Sequence, residues 1–202
     1  MFSENKISLI ITFLLFLSCT QRRHEPGQLS PFEQDSLWGY KDTHGTVVIE
    51  PQYYVAHDFS THGIAAVADG SGWSYIDVKG NVVIKPYLYD NGPDYFQEGL
   101  ARFTKDNKFG FFDEKGQVQI KPKFDFALPF FEGLAVVGMD CQVIQEGEHN
   151  VTSGGKWGFI NNKGKLVIPL NFDRAESFEK DKARVILNGR WITINKAGKI
   201  IK

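Results

Sequence analysis

The chain has only two cysteines, Cys19 and Cys141, among its 202 residues, so no network of disulfides organises it. It has no Cys-x-x-Cys pair and no His-x-x-x-His pair, and His24, His44, His57, His62 and His149 are scattered, which removes the usual zinc spacings. His57 and His62, with Asp58 beside them, come nearest to a metal pair. There is no Gly-x-Ser-x-Gly elbow and no phosphate-cradling glycine loop before a helix. Neither sign of charge dominates, with 23 Lys and Arg against 24 Asp and Glu, which excludes a basic nucleic-acid footprint. No apolar run is long enough to cross a bilayer comfortably; the clearest, Ile7 to Leu17, is interrupted by Ser8 and Thr12. No carboxylate pair stands out for acid–base work. These absences lead to the expectation of a protein without a catalytic centre or a cofactor.

Repetition is what the chain does have. Aligned on an aromatic, units open at Trp38, Trp73, Phe109, Trp157 and Trp191, a period of about 35 residues except between the third and fourth. A Gly follows seven residues later in each unit (Gly45, Gly80, Gly116, Gly164, Gly198). An Asp or Asn stands three before that Gly (Asp42, Asp77, Asp113, Asn161, Asn195). Asp/Asn-x-x-Gly is a type I turn followed by a left-handed residue, the geometry that closes a bulged hairpin. Alternation before the turn (Trp157, Phe159, Asn161) and β-branched runs after it (Val47-Val48-Ile49, Val82-Val83-Ile84) give the hairpin its two strands. A small residue follows the aromatic in four units (Gly39, Ser74, Gly110, Gly158) and leaves room for a close backbone or ring. Further on, Gly-hydrophobe-Ala (Gly63-Ile64-Ala65, Gly99-Leu100-Ala101, Gly133-Leu134-Ala135) opens a third strand. The fourth unit has Asp181-Lys182-Ala183 there, and Asp tolerates a left-handed turn better than most residues.

The Trp-Gly pairs (Trp38-Gly39, Trp157-Gly158), the Asp/Asn-x-x-Gly turn, the Val-Ile-x-Pro end and the segment Phe96 to Ala101 resemble the WG-repeat family over residues 37–202. The resemblance implies an all-β tandem repeat, often found on bacterial envelope proteins, and brings no catalytic motif with it. The expected architecture is a set of three-stranded antiparallel meanders stacked as an open, twisted array. A small β-propeller is the alternative if residues 30–37 supply a missing leading strand. The 17 Phe, 7 Tyr and 4 Trp fall mostly at repeat positions, so they are read first as core.

Lys6, the apolar run and Phe16-Leu17-Ser18-Cys19 read as a signal peptide over 1–18 ending in a bacterial lipobox. The resemblance implies cleavage before Cys19, lipidation of Cys19 with several acyl chains, and a lipid anchor in the envelope, with the outer membrane as the expected address. An ordinary secretory signal with an incidental Cys is the alternative. Residues 19–36, rich in Gln, Arg, Ser and Pro, read as a flexible tether. An insertion over 138–155 lengthens the third unit, and insertions in repeat proteins map to one face, often the binding face. Asp140, Cys141, Gln145, Glu148 and His149 are its candidate binding residues. With Cys19 acylated, Cys141 has no partner in the chain. The expected activity is therefore binding, to a protein or peptide partner or else to a glycan or cell wall, with the membrane engaged through Cys19.

Overall fold

The computed structural model describes residues 28–146 and 149–201; the expected signal peptide, Cys19 and most of the expected tether lie outside them. Every regular element among these residues is a β-strand, and apart from one two-stranded arm the strands form five consecutive antiparallel sheets. The first holds β1 (Leu29–Gln34), β2 (Leu37–Asp42) and β3 (Val47–Tyr53). The second holds β4 (Val55–Ala56), β5 (Ile64–Asp69), β6 (Gly72–Asp77) and β7 (Val82–Ile84). A separate two-stranded arm, β8 (Leu88–Tyr89) and β9 (Gly92–Pro93), leads into the third sheet of β10 (Leu100–Lys105), β11 (Lys108–Asp113) and β12 (Val118–Phe124). The fourth comprises β13 (Phe126–Phe131), β14 (Leu134–Glu146), β15 (His149–Asn161) and β16 (Leu166–Phe172). The fifth comprises β17 (Arg174–Ala175), β18 (Lys182–Leu187), β19 (Arg190–Asn195) and β20 (Ile200–Ile201). Among the described residues no ladder joins the first sheet to the last, so the array is open in its strand pairing.

The meanders are present, but each sheet after the first straddles two sequence units. The third strand of one unit pairs with the hairpin of the next, as Ile64↔Asp77 and Ala66↔Tyr75 show. The first sheet obtains its equivalent strand from β1, which corrects the boundary of the tether: residues 29–34 are structured. Leu29 enters the core, and the left-handed pair Asp35 and Ser36 turns the chain into β2. Pro31 is accommodated because β1 lies at a sheet edge, where a missing N–H interrupts no ladder on the outer side.

The turns form as the sequence requires. In all five units the Asp or Asn side chain accepts from the backbone N–H two and four residues on. The turn glycines lie at φ of 72 to 83°. Asp181 takes a left-handed φ of 61°, where the other units use Gly. Neighbouring sheets are tied by backbone capping as well as by packing. Gly133 donates its N–H to the Glu98 carboxylate at 3.0 Å, and Lys180 and Asp181 donate theirs to Glu132 at 2.6 and 2.9 Å. The Asp181 N–H, followed by the Lys196 ammonium, holds the Glu132 carboxyl below its ordinary range.

Between successive sheets lies one apolar layer, and a pair of rings bridges each gap. Tyr40 meets Phe59 at 4.8 Å, Phe111 meets Phe130 at 4.8 Å and Phe159 meets Phe178 at 4.9 Å. The matching pair between sheets two and three, Tyr75 and Phe96, is 5.9 Å apart. The buried cluster at that junction consists of Ile84, Ala101, Phe103 and Phe112, the smallest of the four.

Candidate functional site

Two features break the repeat, and both begin in the sequence. The first is Ser74, which stands where three other units have Gly. A Cβ on Gly39, Gly110 or Gly158 would lie 2.4 to 2.5 Å from the carbonyl oxygen of Ile49, Ile120 or Ile168. In those units the outer strand bulges across the glycine and continues, so that Trp38 pairs with Tyr53 and Trp157 with Phe172. At Ser74 that path is closed to it, and β7 ends at Ile84. Pro86 then bridges Phe103 of the next sheet, and the intervening residues rise as the β8–β9 arm over a left-handed turn at Asp90 and Asn91.

Arg102 fastens the arm. It occupies the register that Ala66 and Val136 hold in other sheets, and it is only 4% exposed. Its guanidinium donates to both oxygens of Asp94, Nε to Oδ2 at 2.9 Å and the second terminal nitrogen to Oδ1 at 2.7 Å. The other terminal nitrogen donates to the Ala127 carbonyl of β13 at 2.9 Å, and the Arg102 backbone N–H also reaches Asp94. The cation lies 4.9 Å from the centre of the Tyr87 ring and 5.9 Å from that of Tyr89. A charge buried at this depth is tolerated because all its partners are present.

Two cavities flank the arm and the residues that follow it. On one side is a cleft of 490 Å³ whose walls include Trp73, Tyr75, Tyr95, His57, Asp58 and Asn91. On the other is a cavity of 340 Å³ bordered by Tyr89, Arg102, Leu128 and Phe131. Tyr95, 61% exposed, borders both. Burial, and after it the Asp94 carboxylate, pushes the Tyr75 phenol up to about 12, so it is a neutral hydroxyl at physiological pH.

The second feature is the insertion, which extends a hairpin. β13 leaves β14 after Gly138, and β16 meets β15 only from Trp157 on. Between these points the two long strands pair only with each other, from Met139↔Lys156 to Glu146↔His149. Asp140 and Cys141 sit at the root. Asp140, with a left-handed φ of 56°, donates its N–H to Asp125, whose carboxylate also pairs with Lys108. The Cys141 thiol is buried beside Trp157 in the core of sheets four and five, and burial raises its pKa. Gln145 and His149 lie in the distal strands, and Glu148 falls outside the described residues. The four described candidates are therefore split: Asp140 and Cys141 brace the root, and Gln145 and His149 lie on the distal strands. Together with Tyr87, Phe109 and Val143, the root borders a groove of 540 Å³.

Arg102, Tyr75 and Tyr95 were not legible as site residues in the sequence. The available signal was the extra length between Pro86 and Phe96; an Arg at this strand position does not stand out, because the fifth sheet carries the exposed Arg184 in the same register.

Comparison with known proteins places the repeat. No curated protein matches the sequence. Among solved structures, Kluyveromyces lactis Hsv2 is 12% identical with a TM-score of 0.36, covering 87% of this chain and 59% of that one. A eukaryotic initiation factor is 11% identical with a TM-score of 0.38, covering 88% of this chain and 52% of that one. The chain thus spans little more than half the length of either structure, and likeness at this level carries no argument about function. The family description "WG containing repeat" matches at residues 38–72, 73–109, 109–140 and 157–191. These openings coincide with the first four aromatics of the repeat, and the gap between the third and fourth matches falls on the extended hairpin. With more than half its length matched in register, the chain belongs to the WG-repeat family.

Proposed function

We propose that this chain is a non-catalytic binding module, held at a bacterial envelope membrane through lipidated Cys19, that captures a protein or peptide partner on its extended hairpin. The observation that supports the reading is that, among the described residues, no third strand pairs with either outer edge of the hairpin beyond Met139 and Lys156. Exposed strand edges offer rows of N–H and C=O groups, and an extended peptide adds to such an edge as a further strand. Val143 and Ile144 are exposed on β14 and supply apolar contacts beside that edge.

The test replaces residues 142–153 by Asn-Gly, which closes the hairpin at the Cys141↔Gly154 pair and spares the buried thiol. The shortened protein should keep its circular-dichroism spectrum and its melting temperature. In-cell crosslinking followed by mass spectrometry should then show loss of the partners captured by the parent. An unchanged partner set would refute the hairpin as the capture element. A second reading, recognition of a glycan or cell wall, is favoured by the aromatic walls of the cleft beside the arm.

A further inference from the structure

The ring pairs compare one junction with the others inside a single chain. Three junctions are shut by rings 4.8 to 4.9 Å apart. In these, Tyr40, Phe111 and Phe159 are fully buried, and the Tyr40 hydroxyl donates to the His57 carbonyl at 2.7 Å. At the fourth junction Tyr75 holds the same register as those three rings but is only partly buried, and it borders the 490 Å³ cleft. Neither its hydroxyl nor the indole N–H of Trp73 has a hydrogen-bond partner among the described residues. By contrast, the indole N–H of Trp157, the equivalent of Trp73, donates to the Gly154 carbonyl. The open junction therefore combines ring faces with unused donors.

The polar side of the cleft complements them. Asp58 and Asp90 bring carboxylates, His57 and Asn91 bring groups that can donate or accept, and no Lys or Arg borders the space. An anion would meet repulsion here. A simple cation would satisfy the carboxylates but leave the Tyr75 and Trp73 donors without acceptors. A polyol ring provides donors for the carboxylates, acceptors for the phenol and indole, and apolar C–H faces for the aromatic walls. The volume lies within the roughly 300–1,000 Å³ of small-ligand sites.

We infer that the cleft between the second sheet and the β8–β9 arm, walled by Trp73, Tyr75 and Tyr95, is a binding site for an uncharged saccharide segment. This rests on the glycan reading, not on the hairpin, and assigns that reading a place. Tyr75 and Trp73 donate to ring or hydroxyl oxygens. Asp58 accepts from a sugar hydroxyl, and Tyr95 forms the outer wall.

The experiment is isothermal titration calorimetry of the full chain with malto-, cello- and chito-tetraose, and with polygalacturonate and choline as charged probes. One or more neutral tetrasaccharides should bind saturably. Tyr75→Phe should weaken that binding about five- to tenfold, the loss of one hydrogen bond. The substitution is safe for the fold, because Phe111 and Phe159 fill the same register. Tyr95→Ala should weaken binding at least as much, and Trp191→Ala, on the fifth sheet, should leave it unchanged. Wild-type affinity in both Tyr75→Phe and Tyr95→Ala would overturn the site while leaving glycan recognition standing. Failure of every neutral tetrasaccharide would overturn both. Tighter binding of polygalacturonate or choline would overturn the ligand class.

Discussion

Serine in place of Gly110 is expected to cost about 3 kcal/mol of folding stability, at the upper end of what overpacking does. A Cβ there would sit 2.5 Å from the Ile120 carbonyl oxygen and 2.8 Å from the Pro122 nitrogen. Backbone atoms cannot swing aside as the tip of a flexible side chain can, so β12 would have to leave its ladder with β11. Ser74 provides the internal control, because it already carries that side chain where the outer strand stops short. Ser74→Gly should therefore cost about 1 kcal/mol or less, the entropic cost of a glycine in a strand. Urea midpoints at unchanged slope measure both variants. Equal losses from the two would show that the bulged crossing does not govern the choice of residue.

The other large effect belongs to the buried ion pair. Asp94→Ala should destabilise the protein by about 3–5 kcal/mol, because it strands a guanidinium in an interior site. Asp94 is 3% exposed, so water cannot readily take its place. Adding Arg102→Val, which installs the residue type that Val136 shows in the same register, should recover a substantial part of the loss. A double-mutant cycle followed by chemical denaturation reads the coupling between the two side chains. Strict additivity would mean that Asp94 acts independently of Arg102, and the account of how the arm is fastened would fail.

Much of the fold was legible because it is written in short-range rules. The Asp-x-x-Gly turns depend on residues within four positions of one another. The need for Gly after the aromatic was readable from the aromatic-Gly pair, although the backbone that approaches it, at Ile49, Ile120 and Ile168, was not. Asp181 could be read as a left-handed residue from its chemistry alone. What stayed hidden is the phase of the sheets. A periodic sequence has no intrinsic origin, so cutting at Trp38 or at Leu29 describes the pattern equally well until strand pairing is seen. β1 was obscure because only Leu29 is deeply buried, and Ser30, Pro31, Glu33 and Gln34 look like a tether. Asp94 and Arg102 were obscure for another reason. Between Ala101 and Phe103 an Arg reads as an outward strand position, and its partner lies on an arm whose own sequence announces only a turn. The cleft borders the ring pair whose spacing widens to 5.9 Å, a geometric departure that no local motif records.

The offset between sequence unit and sheet has a mechanical consequence. Every sheet after the first draws at least one strand from the unit before it, so adjacent copies are laced together through their main chains. Severing a copy at its opening aromatic leaves one fragment with an orphaned strand and the other with a sheet missing its neighbour. Melting in such a chain spreads from a frayed end through the next lacing point, and nearest-neighbour coupling of this kind favours loss of the whole array over stepwise shedding of copies.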